Sequence, residues 1–163
     1  MQRIAIGIDP GKSTGFAVKD VGTGQYLDIR TMQLHQAMQY ALSLAYDTEE
    51  SRELYFVVED ARKRKWYADQ GKNEKARRGM AMGAASVKRD CSIWEDFLTD
   101  HGFTFRMIAP ARLTTKTPLP IWTRKTGWKG RTSEHARDAA DFIFPINPRN
   151  LKLFFQSTQT ATQ

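Results

Sequence analysis

Ile4, Ala5, Ile6, Gly7 and Ile8 run without interruption into Asp9-Pro10-Gly11. A short apolar run that stops at turn residues is the pattern of a buried strand entering a turn, so Asp9 stands at a strand's end. Outward from this point, Gly15 to Val18 resume an apolar run and Gly22-Thr23-Gly24 supply a turn. Tyr26, Leu27, Ile29 and Met32 then continue a strand-like composition. Three consecutive antiparallel strands are expected. Gly11 and Gly15 read as turn residues, allowing positive φ and close backbone passage beside Asp9.

Further along, Leu34, Met38, Ala41, Leu42 and Ala45 recur at helical spacing, and Leu54 to Val58 form a second buried strand that ends on Glu59-Asp60. Asn73 is placed to cap one long helix reaching Asp100, closed by His101-Gly102. Its stripe of Met80, Ala84, Val87, Cys91, Trp94 and Leu98 reads as a core face, with Cys91 as filler rather than a nucleophile. Phe103 to Ile108 give a fifth strand, and Pro110 to Lys129 show no clear periodicity. Thr132 or Ser133 can cap a helix through Phe144 to the Pro145 break. The order predicts an α/β fold, a mixed five-stranded sheet with helices on both faces. One domain over residues 1–155 is expected, followed by a polar, frayed tail over 156–163.

The chain has 163 residues, enough for one core. Its 25 Lys and Arg against 18 Asp and Glu give a formal charge of +7 and a pI near 9.7, the balance of a protein that meets a polyanion. One cysteine excludes an intramolecular disulfide and a thiolate zinc cluster. The initial apolar run is too short for a signal peptide, and no stretch approaches membrane-spanning length, so a cytoplasmic protein without a membrane partner is expected.

The chemistry points to carboxylates. Two buried strands end in an acid, Asp9 and Glu59, and would present both at one sheet edge if the strands are neighbours. Asp138 and Asp141 lie three apart in His135-Ala136-Arg137-Asp138-Ala139-Ala140-Asp141 and share a helical face, with two alanines permitting close approach to the sheet. Taken singly, each acid reads as a solvated residue or a cap; their joint placement sets them apart. Four hard oxygen donors would repel one another, and Mg2+ or Mn2+ is the usual remedy. Two such ions about 4 Å apart would activate a water and stabilise a leaving 3′ oxygen at a phosphodiester.

These residues carry a family resemblance. Ile8-Asp9-Pro10-Gly11 with Thr14-Gly15 resembles the first motif of the RuvC Holliday-junction resolvases, Val58-Glu59 the second, and Asp138-Ala139-Ala140-Asp141 the last. The match spans residues 4 to 142 in the same order. The first motif also opens sugar kinases and actin-like ATPases, but the ordered set of three is far more specific, and an actin-like ATPase needs two such domains. The resemblance implies an RNase H-like fold and a homodimer. It also implies Mg2+-dependent nicking of four-way junctions, with Asp9, Glu59, Asp138 and Asp141 as metal ligands. The small size suggests a phage or prophage type. One segment departs from the family pattern: between Ile108 and Ser133 the chain is short and rich in proline where RuvC proteins carry another helix.

Two basic segments flank these acids. Arg62, Lys63, Arg64, Lys65, Trp66 and Tyr67, followed by Lys72, Lys75, Arg77 and Arg78, come just after Glu59. There cations could neutralise phosphates and an aromatic could stack on a base. Arg124, Lys125, Trp128, Lys129 and Arg131 lead into the second acidic pair. A charge run is otherwise a solvated face. Lys116, Lys125 or Lys129 could place an ammonium beside the attacked phosphate. His135 shares a face with Asp138 and could move protons or assist product release, or is a surface histidine at a helix start. Gly11-Lys12-Ser13-Thr14 lacks the earlier glycine and following helix of a phosphate loop. The long helix exceeds one domain's needs, and Gly79 and Gly83 would permit a close symmetric pairing over residues 73–100. Branched DNA is the expected partner. The alternatives are an RNase H-like nuclease acting on flaps, forks or RNA/DNA hybrids, and a non-catalytic DNA-binding module, which would lack a ligand.

Overall fold

The computed structural model describes residues 1–46, 51–64, 73–111 and 116–156. Its centre is a sheet of β1 (Gln2–Asp9), β2 (Thr14–Asp20), β3 (Tyr26–Met32), β4 (Arg52–Glu59) and β5 (Thr104–Ile108), in the spatial order β3-β2-β1-β4-β5. The first three strands pair antiparallel, β4 pairs parallel with β1, and β5 pairs parallel with β4. The helices are α1 (Leu34–Tyr46), α2 (Glu74–Asp100), α3 (Leu119–Thr126), α4 (Glu134–Ile143) and α5 (Leu151–Gln156). The mixed five-stranded sheet with helices on both faces agrees with the sequence. No helix among the described residues is long and apolar enough to cross a membrane.

Strand periodicity divides the core in two. Ile4, Ile6 and Ile8 of β1 join Phe56 and Val58 of β4 beneath Ala37 and Ala41 of α1 and Cys91, Trp94 and Leu98 of α2. The alternate residues Ala5, Ala17 and Val57 face α4, which meets them with Ala136, Ala139, Ala140 and Ile143. The small residues on that side decide how close α4 lies. A Cβ on Gly7 would fall 1.9 Å from the Ala139 carbonyl oxygen, and one on Gly15 would fall 2.0 Å from that of His135. Gly15 is therefore not a turn residue. It lies within β2, and its missing side chain admits a helix backbone. Among the described glycines, only Gly24, Gly102 and Gly127 have positive φ, so Gly11 does not need it either.

Two helices are absent from the sequence reading. The stretch expected to be irregular contains α3, which begins after Pro118 with Pro120 in its first turn. There proline's missing N–H has no helical acceptor to lose and its fixed φ already suits a helix. Gly127, at φ +70°, ends it and donates its N–H to the Thr123 carbonyl. Trp122, 1% exposed, anchors α3 to the core. Near the C-terminus α5 buries Leu151 and Phe155, and Arg106 of β5 donates to the Phe154 carbonyl at 2.8 Å. The chain remains packed well past Pro145, and the tail expected from 156 lies, from residue 157 on, outside the described residues.

Helix α2 has 27 residues and is about 40 Å long at 1.5 Å per residue. Asn73 caps it through a bond from the Ala76 N–H, as its sequence predicts. Among the described residues its burial falls in the second half: Asp90, Cys91, Trp94 and Leu98 are buried, with Val87 against them. Met80, expected in the core stripe, is 46% exposed, because the sheet ends before the helix does.

Candidate functional site

The parallel register of β1 and β4 sets Ile8 beside Val58, so Asp9 and Glu59 follow as neighbours at one edge of the sheet. Close seating of α4 on Gly7 and Gly15 brings His135 and Asp138 to that edge, with Asp141 one turn further along the helix beside Lys125. Asp9 is buried at 9% exposure, whereas Asp138 and Asp141 keep about a third of their side chains in solvent.

Electrostatics tie the acids together. Burial, then the charges of Asp9 and Asp138, pushes the Glu59 carboxyl up to about 7. Burial is also the main cause that raises Asp9, with Asp138 adding to it, while a hydrogen bond with His135 opposes the rise. Asp138 is raised by burial and by Asp141, against the pull of Lys116. Basic side chains of the protein meet these acids: His135 Nδ1 lies 2.8 Å from Asp9 Oδ2, Lys125 Nζ 3.1 Å from Asp141 Oδ1, and Lys116 Nζ 3.9 Å from Asp138 Oδ2. Lys116 also pairs with Glu134. With the side chains so engaged, no three metal-ligating groups among the described residues stand close enough to hold one ion. The donor set still fits a hard divalent cation. Burial, with the charges of Asp9 and Asp138 beside it, leaves the Glu59 carboxyl protonated near neutrality, and a dication would offset both penalties.

In front of the acids lies a cleft of about 500 Å3. Glu59, Asp138 and Asp141 line it together with Arg64, Lys116 and Lys125. Arg137, which the sequence reading passed over, also lines it; its position beside Asp138 on a helix was the available signal. A second cavity, of about 310 Å3, lies at the opposite ends of β4 and β5, away from the carboxylates.

The expected DNA-contacting residues divide sharply. Arg62 is committed inside the protein. Its Nε donates to Asp60 Oδ1 at 2.7 Å, its Nη2 to Asp60 Oδ2 at 2.9 Å and to Glu95 at 2.6 Å, and its Nη1 to Ser92 at 3.1 Å. Burial alone would raise Asp60, but these bonds outweigh it and hold the carboxyl below its ordinary value. Arg62 thus joins the turn after Glu59 to α2 rather than facing a ligand. Lys63 likewise donates to the Met107 carbonyl at 2.7 Å, and Cys91 Sγ to the Glu59 carbonyl at 3.4 Å, in keeping with a buried filler thiol. Arg77 and Arg78 sit on the exposed start of α2, where Arg78 pairs with Glu74. Arg124, Lys129 and Arg131 are exposed between the start of α3 and α4, while Trp128 packs partly against the core. Lys65, Trp66, Tyr67 and Lys72 lie outside the described residues.

The chain matches no protein-family model, and comparison with curated proteins and with solved structures likewise returns no match.

Proposed function

We propose that this chain is a divalent-metal-dependent endonuclease of the RNase H-like fold, akin to the RuvC junction resolvases and acting on branched DNA as a homodimer. The observation that carries the proposal is the meeting of Asp9, Glu59 and Asp138 at one sheet edge, beside a cleft that Glu59 and Asp138 line together with Asp141 and the cations Arg64, Lys116, Lys125 and Arg137. Mg2+, or Mn2+ in its place, bound by these four oxygens would supply an activated water and charge stabilisation at a phosphodiester. The chain's own groups do the rest. Arg64, Lys116, Lys125 and Arg137 attract the backbone and offset its charge in the cleft. His135, held on Asp9, is placed to hold or pass a proton beside it. A homodimer is supported by the first half of α2, where Met82 is exposed and, among the described residues, nothing stands within 4 Å of a Cβ on Gly79 or Gly83.

The test is incubation with labelled four-way junction, flap, linear duplex and RNA/DNA hybrid, each with Mg2+ and with EDTA. Junction cutting that requires Mg2+ is expected, with Asp9→Asn and Glu59→Gln binding the junction but not cutting it. Undiminished cutting by either variant refutes the site. Equal cutting of all four substrates refutes junction preference and leaves the broader nuclease.

A further inference from the structure

Helix α4 carries two of the four acids, and its apolar seat on the sheet is made largely of small residues. Three of its four buried residues are Ala136, Ala139 and Ala140, seated on Gly7 and Gly15. Small side chains on glycines set how near the helix comes but supply few interlocking shapes against a slide. A one-residue slip would move α4 by about 1.5 Å and turn it by about 100°, carrying Asp138 off the sheet edge and Asp141 with it.

Polar groups on β2 and β3 oppose that slip. Lys19 is 5% exposed, an unusual place for a lysine, and burial alone lowers its pKa, with no carboxylate among the described residues acting on it. Its Nζ donates instead to three carbonyls at the end of α4: Ile143 at 3.2 Å, Phe144 at 2.8 Å and Ile146 at 2.8 Å. An ammonium has three N–H donors, so all are used. Ile143 ends α4 and Phe144 caps it, where carbonyls lack helical N–H partners and the dipole is negative, although Ile143 also accepts the Ile146 N–H at 3.2 Å; Ile146 lies just beyond the helix. The hydroxyl of Tyr26, on β3, donates to the Ala140 carbonyl at 2.7 Å. At the other end of α4, Thr31 of β3 meets the Ser133 cap.

We propose that Lys19, assisted by Tyr26, is a positioning residue that locks the axial register of α4 and so places Asp138 and Asp141 opposite Asp9 and Glu59. This rests on the reading of those four acids as metal ligands. Lys19 touches no reacting atom. It acts through the helix end, as partners beyond the coordinating oxygens tune many metal sites.

The experiment compares the full-length protein with Lys19→Met and Tyr26→Phe. Mn2+ alone is titrated by calorimetry, stability is measured by denaturant, and amide hydrogen exchange is followed along α4. Lys19→Met is expected to weaken Mn2+ binding roughly tenfold and to speed exchange at the end of α4. Tyr26→Phe should do the same more weakly, about threefold, and it serves alone should Lys19→Met not fold. A merely structural lysine would lower the denaturation midpoint and leave the Mn2+ affinity of the folded protein unchanged. That result, or unchanged affinity in Tyr26→Phe when it stands alone, overturns the proposal. If the parent itself binds no Mn2+, the metal reading fails. The register lock is then decided by exchange alone, and unaltered exchange at the end of α4 overturns it.

Discussion

Glu59 offers a test of the carboxylate cluster that needs neither substrate nor metal. Its carboxyl titrates near 7 in the fold against an ordinary 4.5, so the native state holds a proton that the unfolded chain releases earlier. The sign follows from linkage. Below 4.5 both states are protonated and the site has no cost; between 4.5 and about 7 the unfolded state loses its proton first and native stability falls; above about 7 the cost is constant. The interval of about 2.5 pH units, at about 1.36 kcal/mol each, amounts to about 3 kcal/mol. Asp9 and Asp138 are raised too and add loss of the same sign.

Glu59→Gln removes the titrating group while nearly keeping its shape. In EDTA, urea denaturation at a series of pH values should show the parent losing stability from pH 5 to pH 8 and the variant losing much less. The two should match at pH 4 and differ at pH 8, with the variant more stable by as much as about 3 kcal/mol. Adding Mn2+ should stabilise the parent more at pH 8 than at pH 6, because the bound cation replaces the proton, and should do little for the variant. A parent whose stability rises from pH 5 to pH 8, or a variant no more stable than the parent at pH 8, would show that burial and the neighbouring Asp9 and Asp138 do not raise Glu59.

Gly15→Ala puts a methyl group 2.0 Å from the His135 carbonyl oxygen, so α4 must lift; a loss of about 2–3 kcal/mol is expected, read by denaturant, with Mn2+ affinity falling as well. Arg62→Met strands Asp60, a 2% exposed carboxylate, and should cost about 3 kcal/mol. Because its guanidinium is used internally, junction affinity in EDTA should stay within about twofold of the parent; a large loss of affinity with intact stability would restore Arg62 as a DNA contact. Arg124→Ala and Lys129→Ala should instead leave stability unchanged, weaken binding similarly on every DNA sequence, and each lower the slope of log affinity against log salt by about one.

What the sequence made legible followed from period and punctuation. The run from Ile4 to Ile8 ending in Asp9, and that from Leu54 to Val58 ending in Glu59, could be placed because apolar strands with both faces covered leave an uninterrupted signal. The caps Asn73 and Ser133 stood out because the side chain that makes the bond is also the one that favours the position. Helix α3 was hidden because its eight residues are too few to show a clear periodicity, although proline before and within a first turn suits a helix start.

The basic residues show a different limit. Composition counts cations but not their commitments, and in this fold commitment depends on which strand or helix stands opposite. Arg62 lies in a run that reads as a DNA patch, yet Asp60, Ser92 and Glu95 consume its donors. Lys19 sits in an apolar strand where no pattern flags it, yet its three donors meet the end of the helix that carries half the candidate site. The informative distinction is thus between cations whose hydrogen bonds are spent inside the fold and those, such as Arg124 and Lys129, that stand exposed near the cleft. Only the second kind should register in the salt dependence of DNA binding. The first should register in stability and in how well the four carboxylates hold a metal ion.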